Sequence, residues 1–179
     1  SSDLLLVAIP MTLGSLWLLL RASYAASRST PRWIVIDGSN VMHWAGDTPR
    51  IEPVREVVKH LERHGFTPGV VFDANAGYLV NGAYMHDEAF SRLLGLPKDR
   101  VMVVNKGTVA DETILEAAHD MQASVVTNDR YRDWAEQYPA VRKPGFLIQG
   151  GYRAGRLWLN LDDQDGNRAE MSATRTRSA

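Results

Sequence analysis

Apolar and polar positions switch between two periods along the chain, and the switches mark out its elements. Trp33, Ile34, Val35 and Ile36 form an apolar, largely β-branched run with no polar interruption. Such a run suits a central strand covered on both faces. Residues 53–64 place Val54, Val57, Val58 and Leu61 on one helical face, and Gly65 supplies the stop. Residues 69–73 predict a second buried strand, residues 74–82 a loop rich in Asn and Gly, and residues 83–94 a helix broken by Gly95 and Pro97. A third strand is expected at 101–104 and a loop at 105–108. Ala110–Asp120 reads as a helix with Ile114, Leu115 and Ala118 on one side and acids in its first turn. Residues 124–127 predict a fourth strand, after which Asn128 and Asp129 enter a short helix through Trp134. Residues 145–149 predict a fifth strand. A turn at 150–155 then leads into 156–161, whose alternation suits a terminal hairpin strand.

Strands alternating with helices predict a three-layer, Rossmann-like α/β domain over residues 32–161, with a mostly parallel sheet of about five strands. Right-handed crossovers place the strand ends on one rim. The flanks read differently. Residues 4–20 carry no charge and would make a helix of roughly 25 Å, at the short end for a membrane span. Arg21, Arg28 and Arg32 follow this run, whereas Asp3 is the only charge before it. Residues 4–21 are therefore expected to be a transmembrane anchor, with the bilayer as a partner. The positive-inside rule puts the domain of this single-pass membrane protein on the cytoplasmic side. A cleaved signal peptide ending near Ser23-Tyr24-Ala25 and a core helix are the competing readings. Residues 22–31 read as a linker and residues 162–179 as a polar, disordered tail.

Composition narrows the chemistry. The 179 residues suffice for one domain with a real core, and 45% hydrophobic content is ordinary for a folded protein. The formal net charge is -1, so a polyanionic partner has to be held by a local patch or by metal. Absence of cysteine excludes disulfides, thiolate zinc sites and cysteine nucleophiles. No glycine-rich phosphate loop and no nucleophile elbow is present. His60 and His64 fall on a charged helix face and read as solvated, while His43, near the first strand end, is a candidate substrate contact.

The acids carry more information. Asp37 and Asn40 follow the first strand, Asp111 and Glu112 open the helix after the third, and Asp129 and Asp133 follow the fourth. The last pair is spaced i,i+4, which on a helix puts both carboxylates on one side. Taken alone, Asp37 or Asp129 reads equally well as a helix cap. Asp73 also ends a strand, as an outer member of the set or as a turn residue. Gathered on one rim, like charges repel, and a cation makes the gathering tolerable. Oxygen-only ligands favour Mg²⁺ or Mn²⁺ over zinc. That chemistry suits phosphodiester hydrolysis, with a divalent metal activating and orienting the attacking water.

The segments IDGSNVMHW, ADETILEAAHD and VVTNDRYRDW together resemble the NYN-domain ribonucleases of the PIN-like superfamily, the regnase type with its bacterial membrane-anchored relatives. The resemblance spans residues 32–161. It implies a PIN-like fold and metal-dependent endonuclease activity on single-stranded RNA. Asp37, Asn40, Asp111, Asp129 and Asp133 would then form the Mg²⁺ pocket, with the four aspartates catalytic. The regnase pattern has paired aspartates where this chain has Asp111-Glu112; Glu112 keeps the charge on a longer arm and is, like the strand-ending Asp73, a candidate for an outer shell. Lys106, Arg130, Arg132 and Lys143, with Arg142 and Arg153, are candidates for a phosphate-binding edge. Tyr131 and Trp134 are candidates for stacking on an unpaired base. The alternatives from other classes are an RNA-binding or membrane scaffold with a vestigial pocket and another metal-dependent phosphohydrolase. The second Asp of the haloacid-dehalogenase motif is missing from IDGSN.

Overall fold

The computed structural model describes residues 31–161. The expected anchor (4–21), the linker up to residue 30 and the tail (162–179) lie outside the described residues. Among the described residues no helix is long and apolar enough to cross a membrane. Everything below belongs to the unit that begins at Trp33.

Five short strands form one parallel sheet: β1 (Trp33–Asp37), β2 (Thr67–Phe72), β3 (Val101–Val103), β4 (Ser124–Val126) and β5 (Leu147–Ile148). Their order is β3-β2-β1-β4-β5. The helices are α1 (Gly38–Val41), α2 (Glu52–Arg63), α3 (Ala76–Asn81), α4 (Asp87–Leu94) and α5 (Ala110–Asp120). From β1 the chain steps outward to β2 and β3, then crosses back past β1 to β4. Right-handed crossovers running in opposite directions put their helices on opposite faces. Alternate strand residues record this. Ile34, Ile36, Val70 and Phe72 pack with Val54, Val57, Val58 and Leu61 of α2 and Phe90 and Leu94 of α4. Val35, Val71 and Val125 face the other way, onto Ile114, Leu115 and Ala118 of α5. The three layers and the parallel sheet are those the sequence predicts.

Four local expectations change. Residues 76–81 form helix α3 rather than a loop. The Asn and Gly residues there are weak helix formers, but tertiary packing overrides propensity. Gly77 is pressed against the backbone of Ala83 and Met85, leaving no room for a side chain. The helix expected from residue 83 accordingly starts at Asp87, because residues 83–86 are used in packing on α3. Asp87 Oδ1 accepts a hydrogen bond from Val103 N at 2.9 Å, which fixes α4 to β3. The segment after Asn128 is not a continuous helix. Tyr131 is left-handed (φ 45°, ψ 41°), and only a 3₁₀ turn, Arg132–Trp134, follows. Finally, residues 150–155 are not merely a turn. Gly150–Arg153 is a strand, β6, which pairs antiparallel with β7 (Arg156–Leu159) as a separate two-stranded sheet. Ala154 and Gly155, both at positive φ (48° and 71°), make the two-residue turn this hairpin requires.

The rim is set by the turn after β1. A Cβ on Gly38 would lie 2.5–2.9 Å from the Phe72 ring. Only glycine lets α1 start hard against the sheet, and that closeness draws Asp37 inward.

Candidate active site

The sheet order reverses between β1 and β4, and in doubly wound sheets ligands bind beyond the strand ends at such a reversal. Asp37 ends β1 there. Ile36 pairs with Val126, so the next residues, Asp37 and Thr127, emerge side by side. Asp37 is only 7% exposed. Its Oδ1 accepts from Asn40 N at 3.1 Å, capping α1. Its Oδ2 accepts from Thr127 Oγ1 at 3.0 Å and from the Tyr131 hydroxyl at 2.9 Å. The capping role and the place at the strand end therefore coexist in one carboxylate. Burial pushes the Asp37 carboxyl above the usual carboxylate range; the three hydrogen bonds pull it back, and the charge on Asp111 raises it further.

Asp111 sits in the first turn of α5, where the helix dipole favours an anion. Its Oδ2 accepts from Trp134 Nε1 at 3.3 Å. Partial burial raises its pKa, Trp134 opposes the rise, and the neighbouring Asp129 charge adds to it. Asp129 follows β4. Its N–H donates to Thr127 Oγ1 and its Oδ1 accepts from Tyr131 N. Electrostatic repulsion thus links Asp37 to Asp111 and Asp111 to Asp129, three segments far apart in the chain. Among the described residues no ion pair neutralises any of them.

Other candidates are placed differently. Asp133 is exposed and lines an open cavity of about 550 Å³ with Asn40, Asn128, Asp129, Arg130 and Arg132. It does not share a helical face with Asp129, because left-handed Tyr131 intervenes. The Asn40 Oδ1 accepts from both Trp44 Nε1 (2.9 Å) and Asn128 N (3.0 Å), which fills its lone pairs. Asp73 takes the turn role: its Oδ1 accepts from Asn75 N, while its own N–H donates to Ser39 Oγ. Glu112 is exposed and acts electrostatically on Tyr138. Lys106, Lys143, Arg142 and His43 are exposed and do not line the cavity. Tyr131 cannot stack on a base. It is 2% exposed, and burial together with the Asp37 charge holds its phenol far above the ordinary range, so it stays a donor. Trp134 is half-buried, with its ring N–H committed to Asp111. Thr127 and the supporting role of Tyr131 carry no local signal in the sequence. The β1–β4 pairing that creates them spans 90 residues.

Whether a divalent cation fits can be judged from the donor atoms. Asp111 Oδ1, Asp129 Oδ2 and both Asp133 oxygens accept no protein hydrogen bond among the described residues. Yet no three His, Cys, Asp or Glu side chains there are grouped closely enough to hold a metal ion. These donors fit a hard, largely hydrated cation that takes one or two carboxylates directly, as Mg²⁺ does, and not a closed protein cage.

Burial of the Asp37 and Asp111 carboxyls, with repulsion adding to it, gives an expected outcome of its own. A carboxyl whose pKa is raised by folding binds protons more readily folded than unfolded. Stability therefore falls as pH rises from the ordinary carboxylate range through the raised value, and stays lowered at neutral pH. Asp111→Asn removes one such charge and relieves Asp37. Its thermal midpoint should exceed that of the wild type at pH 7, with the gap closing as pH falls into the carboxylate range. Thermal melts across pH, with and without Mg²⁺, check this. The cation should raise the wild-type midpoint more than the variant's.

The fold and site define a doubly wound α/β domain with carboxylates gathered at its switch point. The sequence matches the profile of the Zc3h12a-like ribonuclease NYN domain over residues 30–146, well over half the chain, and the chain belongs to that family. Nucleases of this kind generally use divalent metals. The fold is similar to a crystal structure of nuclear proteinaceous RNase P 2 from Arabidopsis thaliana, with a TM-score of 0.54 and 14% identity over 78% of this chain. A second structure, of the nuclear protein-only RNase P 2 of Arabidopsis thaliana, gives 0.48 and 16% over 86%. The chain spans about a third of the length of these structures, 31% and 34% respectively. No curated protein matches the sequence.

Proposed function

We propose that this domain is a Mg²⁺- or Mn²⁺-dependent endoribonuclease that hydrolyses phosphodiester bonds of single-stranded RNA. The observation that carries the reading is the convergence of Asp37 and Asp129 on Thr127 and Tyr131, with Asp111 held beside them by Trp134, at the switch point of a ribonuclease-family fold. Asp111 and Asp129, with oxygens to spare, would hold the cation, and Asp133 would hold waters around it. When bound, the cation supplies charge neutralisation and polarises a phosphoryl oxygen. Asp37 is held in one orientation by Asn40 N, Thr127 and Tyr131, so its negative charge would face the cation without having to reorganise. Arg130 and Arg132, on the wall of the same cavity, are placed to receive backbone phosphates. An open cavity suits an unpaired strand, whose phosphate can turn inward, better than a rigid duplex. A bilayer partner rests on the apolar run at residues 4–20 alone.

The test is cleavage of an end-labelled single-stranded RNA. Internal cuts are expected with Mg²⁺ or Mn²⁺, loss of cutting in EDTA, and recovery when the cation is restored. A duplex of the same sequence should resist. Full cutting in EDTA, or turnover of small phosphate esters without any of RNA, would overturn the proposal.

A further inference from the structure

The β6–β7 hairpin has two unlike faces. Cross-strand partners share a face, and the pairs are Gly150 with Leu159, Gly151 with Trp158, Tyr152 with Leu157, and Arg153 with Arg156. One face is spent on the protein. Leu157 and Leu159 pack on the core, and the Tyr152 hydroxyl donates to Glu56 Oε2 at 2.7 Å. The other face carries Arg153, Arg156 and Trp158. The Arg153 guanidinium lies 4.1 Å over the Trp158 ring. Arg156 stands directly opposite Arg153, where like charges destabilise a strand pair. Among the described residues neither arginine has an ion pair, and both are exposed.

The hairpin is also fixed to the cavity lined by Asp129 and Asp133. Asn128 Nδ2 donates to Gly150 O at 2.9 Å, and Gly150 N donates back to Asn128 Oδ1 at 3.2 Å, a side-chain imitation of strand pairing. Asn128 itself lines the cavity. Trp44 closes the joint, because its ring lies where a Gly150 Cβ would stand while its N–H holds Asn40. From this root Arg153 is three residues along the strand, about 10 Å.

We propose that the outer face of the β6–β7 hairpin is a docking surface for the RNA strand beyond the cleavage point, with Arg153 and Arg156 on phosphates and the Trp158–Arg153 stack as a platform for an unpaired base. This rests on the ribonuclease reading and extends it to a second contact region. Two guanidiniums opposed across a tight turn repel each other, and a phosphate between them turns that repulsion into attraction. Arginine and indole side by side are what an unpaired, stacked strand requires, and the chain's net charge of -1 means that a local cationic face has to do this work.

The experiment measures binding of a fluorescent 20-nucleotide single-stranded RNA in EDTA, across a salt series, for the wild type and for Arg153→Gln/Arg156→Gln. The double variant should bind about tenfold more weakly, and its log–log salt slope should be shallower by about 1.4, two phosphate contacts on a single strand. Arg153→Lys/Arg156→Lys should restore the slope. Wild-type binding with an unchanged affinity and slope in the Gln variant overturns the hairpin assignment and leaves the nuclease reading intact. A wild type that neither binds nor cuts RNA overturns both. Binding to phosphatidylserine vesicles that the Gln variant loses, with RNA affinity unaltered, reassigns the face to a membrane and overturns it as well.

Discussion

Asp37→Asn should lower RNA cleavage by about 10³-fold while leaving the protein folded. The substitution is isosteric. An amide oxygen in place of Oδ1 still accepts from Asn40 N, so α1 keeps its cap. Thr127 and Tyr131 donate to Oδ2 in the wild type, and either hydroxyl can rotate to accept from an amide instead. What disappears is a negative charge that burial and Asp111 both make costly. Stability at neutral pH should therefore hold or rise as activity collapses, a combination that a simple folding defect cannot give. Single-turnover cleavage of single-stranded RNA, paired with a thermal melt of the same sample, reads both quantities. Activity within tenfold of the wild type would remove Asp37 from the chemistry, and with it the claim that the strand-end acids are a working site.

The parts of this arrangement that could be seen in the sequence are those fixed by local pattern. The run Trp33–Ile36, the amphipathic spacing of Val54, Val57, Val58 and Leu61, and the alternation in Leu157 and Leu159 each follow from burying one kind of surface, and each occupies the element it predicts. The acids were legible too, because a carboxylate after a buried strand is displayed by the strand itself. Contacts made across the sheet were not legible. The resemblance makes Asn40 a ligand, but its amide oxygen is taken by Trp44 and by the backbone of Asn128, 88 residues away. Spacing suggested a helical pair for Asp129 and Asp133. The observed turn depends on a tyrosine in the left-handed region, which non-glycine residues seldom enter. Residues 76–81 looked like a loop because propensity is all a short Asn- and Gly-containing segment offers, and packing against residues 83–85 decides otherwise.

That same tyrosine should show the largest loss of stability of any residue at the site. Tyr131→Ala empties a fully enclosed aromatic position and should cost about 3–5 kcal/mol. Tyr131→Phe is the more informative change. It keeps the ring among Val35, Val71 and Val125 but removes the hydroxyl that donates to Asp37 Oδ2. A buried carboxylate short of one donor should cost about 1–3 kcal/mol, and cleavage should fall as Asp37 loses its fixed orientation. The decisive measurement is a double-mutant cycle with Asp37→Asn, read by urea denaturation at neutral pH. If the hydroxyl serves the charge on Asp37, the penalty of Tyr131→Phe should shrink by more than half once that charge is gone. If Tyr131 merely fills space, the penalty should be equal in both backgrounds. The left-handed backbone at Tyr131 would then have to be explained by the Asp129 turn alone, whose N–H bond to Asp129 Oδ1 is the same in either case.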